Sequence, residues 1–313
     1  MKKLLGLLLV LVLVISSISV VAAQDDEVIQ VGSKQFTEQL VLGQLMLIAL
    51  EEAGYEVEDN TNLGGTAVNR EALLAGEIDV YAEYTGTAIS NYFNEVPFVD
   101  QDEIVSFSGD AYASYAIVSS LDAAINDMVW LQPAPMNNTY SFAVMTSFAN
   151  ENSIYTAQDL ADYLNAGNEL QLSTMDEFAQ RPDGLRAYEN TYGFEIPEQS
   201  QTVIAGGTPA QTSQQLNEGQ ADIAVVYSTD GALLAYQFTV LEDPSGAQPV
   251  FAPAPVFRGE VLRANPEIAT ILNPIFATLD TTTMQSLNGE VEVGGQDPRT
   301  VAETYLRDNG FID

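Results

Sequence analysis

The residues best equipped for chemistry here are a few tyrosines and two cations. Residues 62–85 read NLGGTAVNREALLAGEIDVYAEYT and residues 204–228 read IAGGTPAQTSQQLNEGQADIAVVYS. Gly64-Gly65-Thr66 matches Gly206-Gly207-Thr208 at an offset of 142 residues. After one inserted residue, Leu73, Gly76, Asp79 and Tyr84 match Leu216, Gly219, Asp222 and Tyr227 at an offset of 143. Each copy reads as a turn into a helix, a glycine stop, a strand, and a tyrosine at the end of that strand. In an open α/β sheet, ligands bind beyond the carboxyl ends of the strands. Tyr84 and Tyr227 are therefore expected at a ligand-facing edge, one in each half of the chain. Two half-chains carrying the same unit imply two similar lobes facing a cleft.

The second chemical feature is a shortage of positive charge. The 313 residues hold 10 Lys and Arg against 44 Asp and Glu, a net charge of −34. Lys2, Lys3 and Lys34 are the only lysines. Lys34 follows the first expected strand, at the same cleft edge. Arg181 sits in a Pro-Gly loop ahead of a helix, and a guanidinium can grip a carboxylate with two parallel hydrogen bonds. Both cations are candidates for an anionic ligand group.

Composition removes other chemistries. With no Cys there is no disulfide, thiolate or lipid-modified cysteine; with no His there is no Ser-His-Asp or Cys-His unit and no His metal ligand. A chain this acidic should be repelled by nucleic acid and anionic lipid. Only 17% of residues are charged and 46% are hydrophobic, which sets the chain apart from a disordered acidic tail.

Residues 1–23 carry a basic start at Lys2 and Lys3, an apolar run from Leu4 to Ile15, and Val21 and Ala23 as small residues before Gln24. This pattern predicts a cleaved secretory signal, with an uncleaved anchor as the alternative. Cleavage leaves Lys34 as the only lysine, and the mature protein is expected outside the cytoplasm without a lipid anchor.

The elements that must position these residues alternate. Strands are predicted at 27–32, 55–58, 78–81, 128–131, 140–145, 170–173, 202–204, 222–227 and 255–261. Helices are predicted at 36–53, 66–75, 157–164, 184–191, 209–217, 231–236, 266–279, 282–287 and 298–308, with 91–120 partly helical. Alternation of this kind gives an α/β fold with mainly parallel sheet.

Several runs resemble the quaternary-ammonium substrate-binding proteins of ABC transporters, the glycine betaine, choline and proline betaine receptors of the OpuC and ProX type. They are Gly32-Ser33-Lys34-Gln35-Phe36-Thr37-Glu38-Gln39, Asn62-Leu63-Gly64-Gly65-Thr66, Gly76-Glu77-Ile78-Asp79 and Glu83-Tyr84-Thr85-Gly86-Thr87. Further matches are Asn137-Asn138-Thr139-Tyr140, Glu177-Phe178-Ala179 with Arg181-Pro182-Asp183-Gly184, and Tyr227-Ser228-Thr229-Asp230-Gly231. They cover essentially everything after the signal, in the family's order.

The resemblance implies a two-lobed periplasmic-binding-protein fold of type II, with two crossovers and a ligand between the lobes. The first lobe would hold residues 27–136 and 252–313 and the second 137–251, hinged near 133–139 and 229–254. It implies an aromatic box of Tyr84, Tyr140, Tyr227 and Phe251, the last replacing a tyrosine. Lys34, Thr87 and Arg181 would take the carboxylate, and Asn138 would offer a backbone carbonyl. Such a protein is not an enzyme and needs no metal or cofactor. Its partners would be a small quaternary-ammonium ligand and an ABC permease, and it is expected to be a monomer that binds no nucleic acid. Glycine betaine or proline betaine ranks above choline, because a ligand without a carboxylate leaves Arg181 and Lys34 unpaired. A choline-selective receptor and a ligand-binding sensor are the alternatives. Asn137-Asn138-Thr139 is also a glycosylation sequon, read as incidental.

Overall fold

The computed structural model describes residues 28–93 and 107–313. The expected signal at 1–23, and part of the span 91–120, lie outside the described residues. The first sheet starts with strands β1 (Ile29–Lys34), β2 (Val57–Gly64) and β3 (Val80–Tyr84), joined by helices α1 (Thr37–Glu52) and α2 (Thr66–Ala75). Helices α3 (Thr85–Asn91) and α4 (Ala111–Asn126) precede an edge strand, β4 (Met128–Trp130). The chain then crosses to the second sheet at β5 (Tyr140–Met145), followed by α5 (Thr146–Asn152) and α6 (Ala157–Asn165). Next come β6 (Leu172–Met175), α7 (Asp176–Gln180), α8 (Leu185–Tyr192), β7 (Gln201–Ile204) and α9 (Pro209–Asn217). The second sheet is completed by β8 (Ile223–Tyr227), α10 (Ala232–Ala235) and β9 (Phe238–Val240). The chain returns at β10 (Pro253–Arg258) and ends in α11 (Gly259–Ala264), α12 (Ile268–Phe276), α13 (Thr281–Glu292) and α14 (Pro298–Asp308).

The two sheets have the same plan. Their strand orders are β2-β1-β3-β10-β4 and β7-β6-β8-β5-β9. In each, the first three strands run parallel and the fourth runs antiparallel. The expectation of mainly parallel sheet thus holds for four of the five strands in each sheet, and the fourth alone is reversed. The reason is the entry route. β5 and β10 arrive from the other lobe, at the cleft end of the sheet, rather than by a helical crossover from the far end. They therefore run back against β8 and β3.

The internal repeat maps onto this plan. Gly76 and Gly219 follow α2 and α9 with φ of 75° and 70°, the left-handed conformation that ends a helix cheaply only at glycine. Asp79 and Asp222 do one job twice. The Asp79 carboxylate accepts from the Gln30 N–H at 2.9 Å and that of Asp222 from the Gln171 N–H at 2.8 Å, each tying the repeat strand to the strand beside it. The helices α3, α5, α7 and α11 went unpredicted because each has only five to seven residues after a strand, too few to display a helical period.

Each lobe has its own core. Helix α1 is buried on almost all sides from Glu38 to Leu50, and its Leu42, Leu45 and Met46 meet Leu272, Phe276 and Leu306 of the C-terminal helices. A helix apolar all round needs cover all round, and α12–α14 supply it. The second core gathers Phe142, Leu160, Leu172, Tyr188, Ile223 and Phe251, and extends across the cleft to Tyr84. Among the described residues, no helix is long and apolar enough to cross a membrane.

Candidate functional site

Sheet register builds the site. Tyr84 and Tyr227 end β3 and β8. The antiparallel neighbour of β8 starts opposite its last residue, so Tyr140 pairs with Tyr227. The neighbour of β3 does the same, so Pro253 pairs with Tyr84, and Phe251 lies two residues earlier. The two crossing segments run side by side, with the Asn138 N–H donating to the Phe251 carbonyl at 2.9 Å. The Asn137 side-chain oxygen accepts from the Phe251 N–H at 2.7 Å, so this sequon asparagine helps fix the crossing.

All eight residues singled out from sequence line one cavity: Tyr84, Tyr140, Tyr227, Phe251, Lys34, Thr87, Asn138 and Arg181. It lies between the lobes and comprises about 480 Å³ of space, including its open mouth. The Tyr140 ring is 4.8 Å from Tyr227 and 5.8 Å from Phe251, the latter nearly edge-on at 83°. Phe36 adds another ring, 6.2 Å from Tyr227 and again edge-on. Burial pushes the Tyr84, Tyr140 and Tyr227 phenols up, so they stay neutral at physiological pH. Neutral tyrosines offer electron-rich faces without competing charge.

The cations are less free than sequence implied. The Lys34 ammonium lies 2.7 Å from the Glu83 carboxylate, and both side chains are essentially inaccessible, at 2% and 0% exposure. Glu83 also accepts from the Tyr81 hydroxyl at 2.8 Å, the Tyr92 hydroxyl at 2.5 Å and the Tyr84 N–H at 2.7 Å. The Lys34 ammonium is 5.2 Å from the centre of the Tyr84 ring, within cation–π reach. The scarcity of lysine pointed to a special position, and the structure supplies one: an internal ion pair at the cavity wall.

Arg181 is held by Asp183 at 2.7 and 2.5 Å and by Glu177 at 3.0 Å, and it donates to the Thr87 hydroxyl at 3.3 Å. Its guanidinium carbon is 5.6 Å from the centre of the Tyr140 ring. Burial opposes its charge, but Tyr140, Asp183 and Glu177 outweigh burial and keep it protonated. Thr66 donates to Glu177 at 2.5 Å, which ties the repeat's GGT turn in the first lobe to the Arg181 loop in the second.

Sequence reasoning missed the acidic side of the cavity. Glu38, in the first turn of α1, accepts from Tyr84 at 2.7 Å, Asn138 at 2.8 Å and Asn288 at 3.2 Å. Asn138 therefore contributes its side-chain amide as a brace for Glu38. Burial raises the Glu38 carboxyl above its usual range, and hydrogen bonds from Thr229, Tyr84, Asn288 and Asn138 pull it partly back. Asp230 and Glu292 complete this side. Glu38, Glu177 and Asp230 stood inside the runs that carried the resemblance, so a signal existed for them. Asn288 and Glu292 had none, because they enter from α13 only through tertiary packing. Among the described residues no carboxylate cluster is arranged to hold a metal ion.

A two-lobed chain with tyrosines at the repeat ends and a cavity between its sheets can be compared with known proteins. Residues 27–308 match the family model described as the substrate binding domain of ABC-type glycine betaine transport systems. The chain belongs to this family. It is 38% identical over 285 residues to the glycine betaine-binding protein YehZ of Escherichia coli K12, covering 90% of this chain and 91% of the relative. It is 26% identical over 321 residues to the carnitine transport binding protein OpuCC of Listeria monocytogenes 10403S, covering 100% of this chain and 98% of the relative. The crystal structure of a glycine betaine/carnitine/choline ABC transporter superposes with a TM-score of 0.70 at 25% identity, over 91% of this chain and 100% of that one. The protein is thus a substrate-binding component of an ABC transport system, not an enzyme. Binding proteins of this family are extracytoplasmic.

Proposed function

We propose that this protein captures a betaine-type quaternary ammonium solute, glycine betaine or proline betaine first, and delivers it as a monomer to an ABC permease. The observation that carries this reading is the meeting of Tyr140, Tyr227 and Phe251 at a cavity whose lining also includes Tyr84 and Arg181. A trimethylammonium group has no N–H to donate, so rings and shape must hold it. Each face contributes roughly 0.5–2 kcal/mol. Arg181 and Thr87 would receive the ligand's carboxylate, which would take the place of Glu177 on the guanidinium. Two lobes, 27–136 with 252–313 and 137–251, would close about the paired crossings. A secretory signal at 1–23 suits this role.

One observation favours the choline-type alternative. Lys34 and Arg181 are already paired with acids, whereas Glu38, Asp230 and Glu292 on the same cavity have no basic partner among the described residues. Such a cavity could take a cation that brings no carboxylate. Calorimetry and thermal shift with glycine betaine, proline betaine, choline, carnitine and ectoine separate the two readings. On the betaine reading, Arg181→Ala weakens betaine far more than choline. Equal losses, or choline binding tighter than betaine in the native protein, would make the alternative the function.

A further inference from the structure

Helix α13 of the first lobe presses against the turn that follows β8 in the second. Gln285 donates to the Ser228 carbonyl and Asn288 to the Thr229 carbonyl, both at 2.8 Å. The Gly231 N–H donates to the Glu292 carboxylate at 3.0 Å. The backbones nearly touch: a Cβ on Gly231 would stand 2.2 Å from the Gly289 Cα and N. This contact buries Asp230 to 2% exposure, with its carboxylate accepting from the Tyr227 N–H at 2.7 Å.

Contact of the lobes here brings three carboxylates together with no cation among them. Glu292 and Glu38 come from the first lobe and Asp230 from the second, and both glutamates act on the Asp230 carboxyl. None forms a salt bridge among the described residues. The basic groups on the same cavity are Lys34, paired with Glu83, and Arg181, paired with Glu177 and Asp183. Of the remaining titratable groups, the Tyr84 phenol faces Glu38, and Glu290 lies two residues before Glu292 on α13; α10 carries none. Two buried acceptors beside Glu38 lack a donor: the side-chain oxygens of Asn138 and Asn288, whose amide nitrogens both bond Glu38. Ionised carboxylates cannot donate to them, whereas a carboxylic acid can.

We propose that the Asp230–Glu292 junction is a proton-binding site, and that bringing the lobes together and taking up a proton are one coupled event. Like charges in a shared dry site cannot all stay ionised. Burial and the neighbouring carboxylates raise Asp230, and burial lifts Glu292 to about 7. With the lobes apart, both groups meet water and return toward about 4. Between those values the closed form holds a proton that the open form lacks. Acid therefore favours closure, and alkali opposes it by up to tenfold in the closed-to-open ratio per pH unit for one proton. The chain has no His and no Cys, so its ordinary side chains leave the range from about pH 5.5 to about 8.5 empty.

That empty window makes the test direct. Potentiometric titration of the ligand-free protein is compared with Glu292→Gln, Asp230→Asn and Gly231→Ala over this range. The α-amino group is common to all four and cancels. Gly231 has φ of −64°, so alanine suits its backbone while its Cβ wedges α13 away. Circular dichroism verifies that each variant is folded, and Asp230→Asn serves if Glu292→Gln is not. The expected result is close to one extra proton bound by the native protein near pH 6, absent from the carboxamide variants and from Gly231→Ala. A native curve that coincides with the carboxamide curves overturns the site. A proton retained in folded Gly231→Ala overturns its coupling to the lobe contact.

Discussion

Glu83 and Val226 hold the same place in the two lobes, one residue before the terminal tyrosine of β3 and β8, and both are fully buried. Lys34 and Met175 likewise end the equivalent strands β1 and β6. One lobe carries an ion pair where the other carries a methionine and a valine. The same scaffold thus accepts either filling, so the strand order does not require the charge. In the first lobe Glu83 is acceptable only because Lys34, Tyr81, Tyr92 and the Tyr84 N–H all bond it. A buried charge is tolerated when every lone pair is answered.

The sharpest way to break this comparison is to give the first lobe half of the second lobe's filling. Glu83→Val strands a buried ammonium and should cost about 3–5 kcal/mol in urea unfolding. The double change Lys34→Met with Glu83→Val copies the second lobe and should recover most of that loss, since replacing a whole buried pair with apolar groups is often neutral or better. A double variant as unstable as the single would show that the pair is not what Glu83→Val disrupts. Betaine affinity in the double variant then reports whether Lys34 serves the ligand as well as Glu83.

A smaller contrast lies in the terminal tyrosines. Tyr84 donates to buried Glu38 at 2.7 Å, whereas Tyr227 donates to Tyr140 at 3.3 Å. Tyr84→Phe should therefore cost about 1–3 kcal/mol and Tyr227→Phe about 0.5–1.5 kcal/mol of folding stability. Both variants keep the ring, so betaine binding by calorimetry should change little. Tyr84→Ala and Tyr227→Ala remove the face and should each weaken it up to about 30-fold. Unchanged affinity in both alanine variants would remove the cage.

The smallest effect concerns the repeat aspartates. Asp79 and Asp222 make the same strand-tying bond, but only Asp79 also pairs with Arg258, at 2.8 Å. Arg258 is 25% exposed, so solvent screening keeps the increment small. Asp79→Ala should destabilise more than Asp222→Ala by roughly 0.5–1 kcal/mol in thermal or urea unfolding. Equal losses would mean that Arg258 adds nothing.

Much of the fold was legible because its signals are local. Helices α2, α9 and α14 match their predicted spans, since glycine stops and N-terminal prolines or GGT turns mark their limits. The repeat located Tyr84 and Tyr227 at equivalent strand ends. The reversal of β5 and β10 was not legible, because an antiparallel neighbour reads like a parallel one in a buried sheet. Nor was the state of the cations: the Glu83 partner of Lys34 is 49 residues away, and no spacing rule links them.

By itself, the sequence determined the α/β alternation, the duplicated unit, the tyrosines at two strand ends and the absence of histidine and cysteine chemistry. These follow from periodicity, turn residues and composition, each written within a few turns of chain. The tertiary structure alone decided that Lys34 is neutralised, that Asn288 and Glu292 of α13 reach the cleft, and that Asp230 meets Glu292 across it. Those outcomes depend on which distant side chains share a low-dielectric space, where a charge must find a partner or a proton.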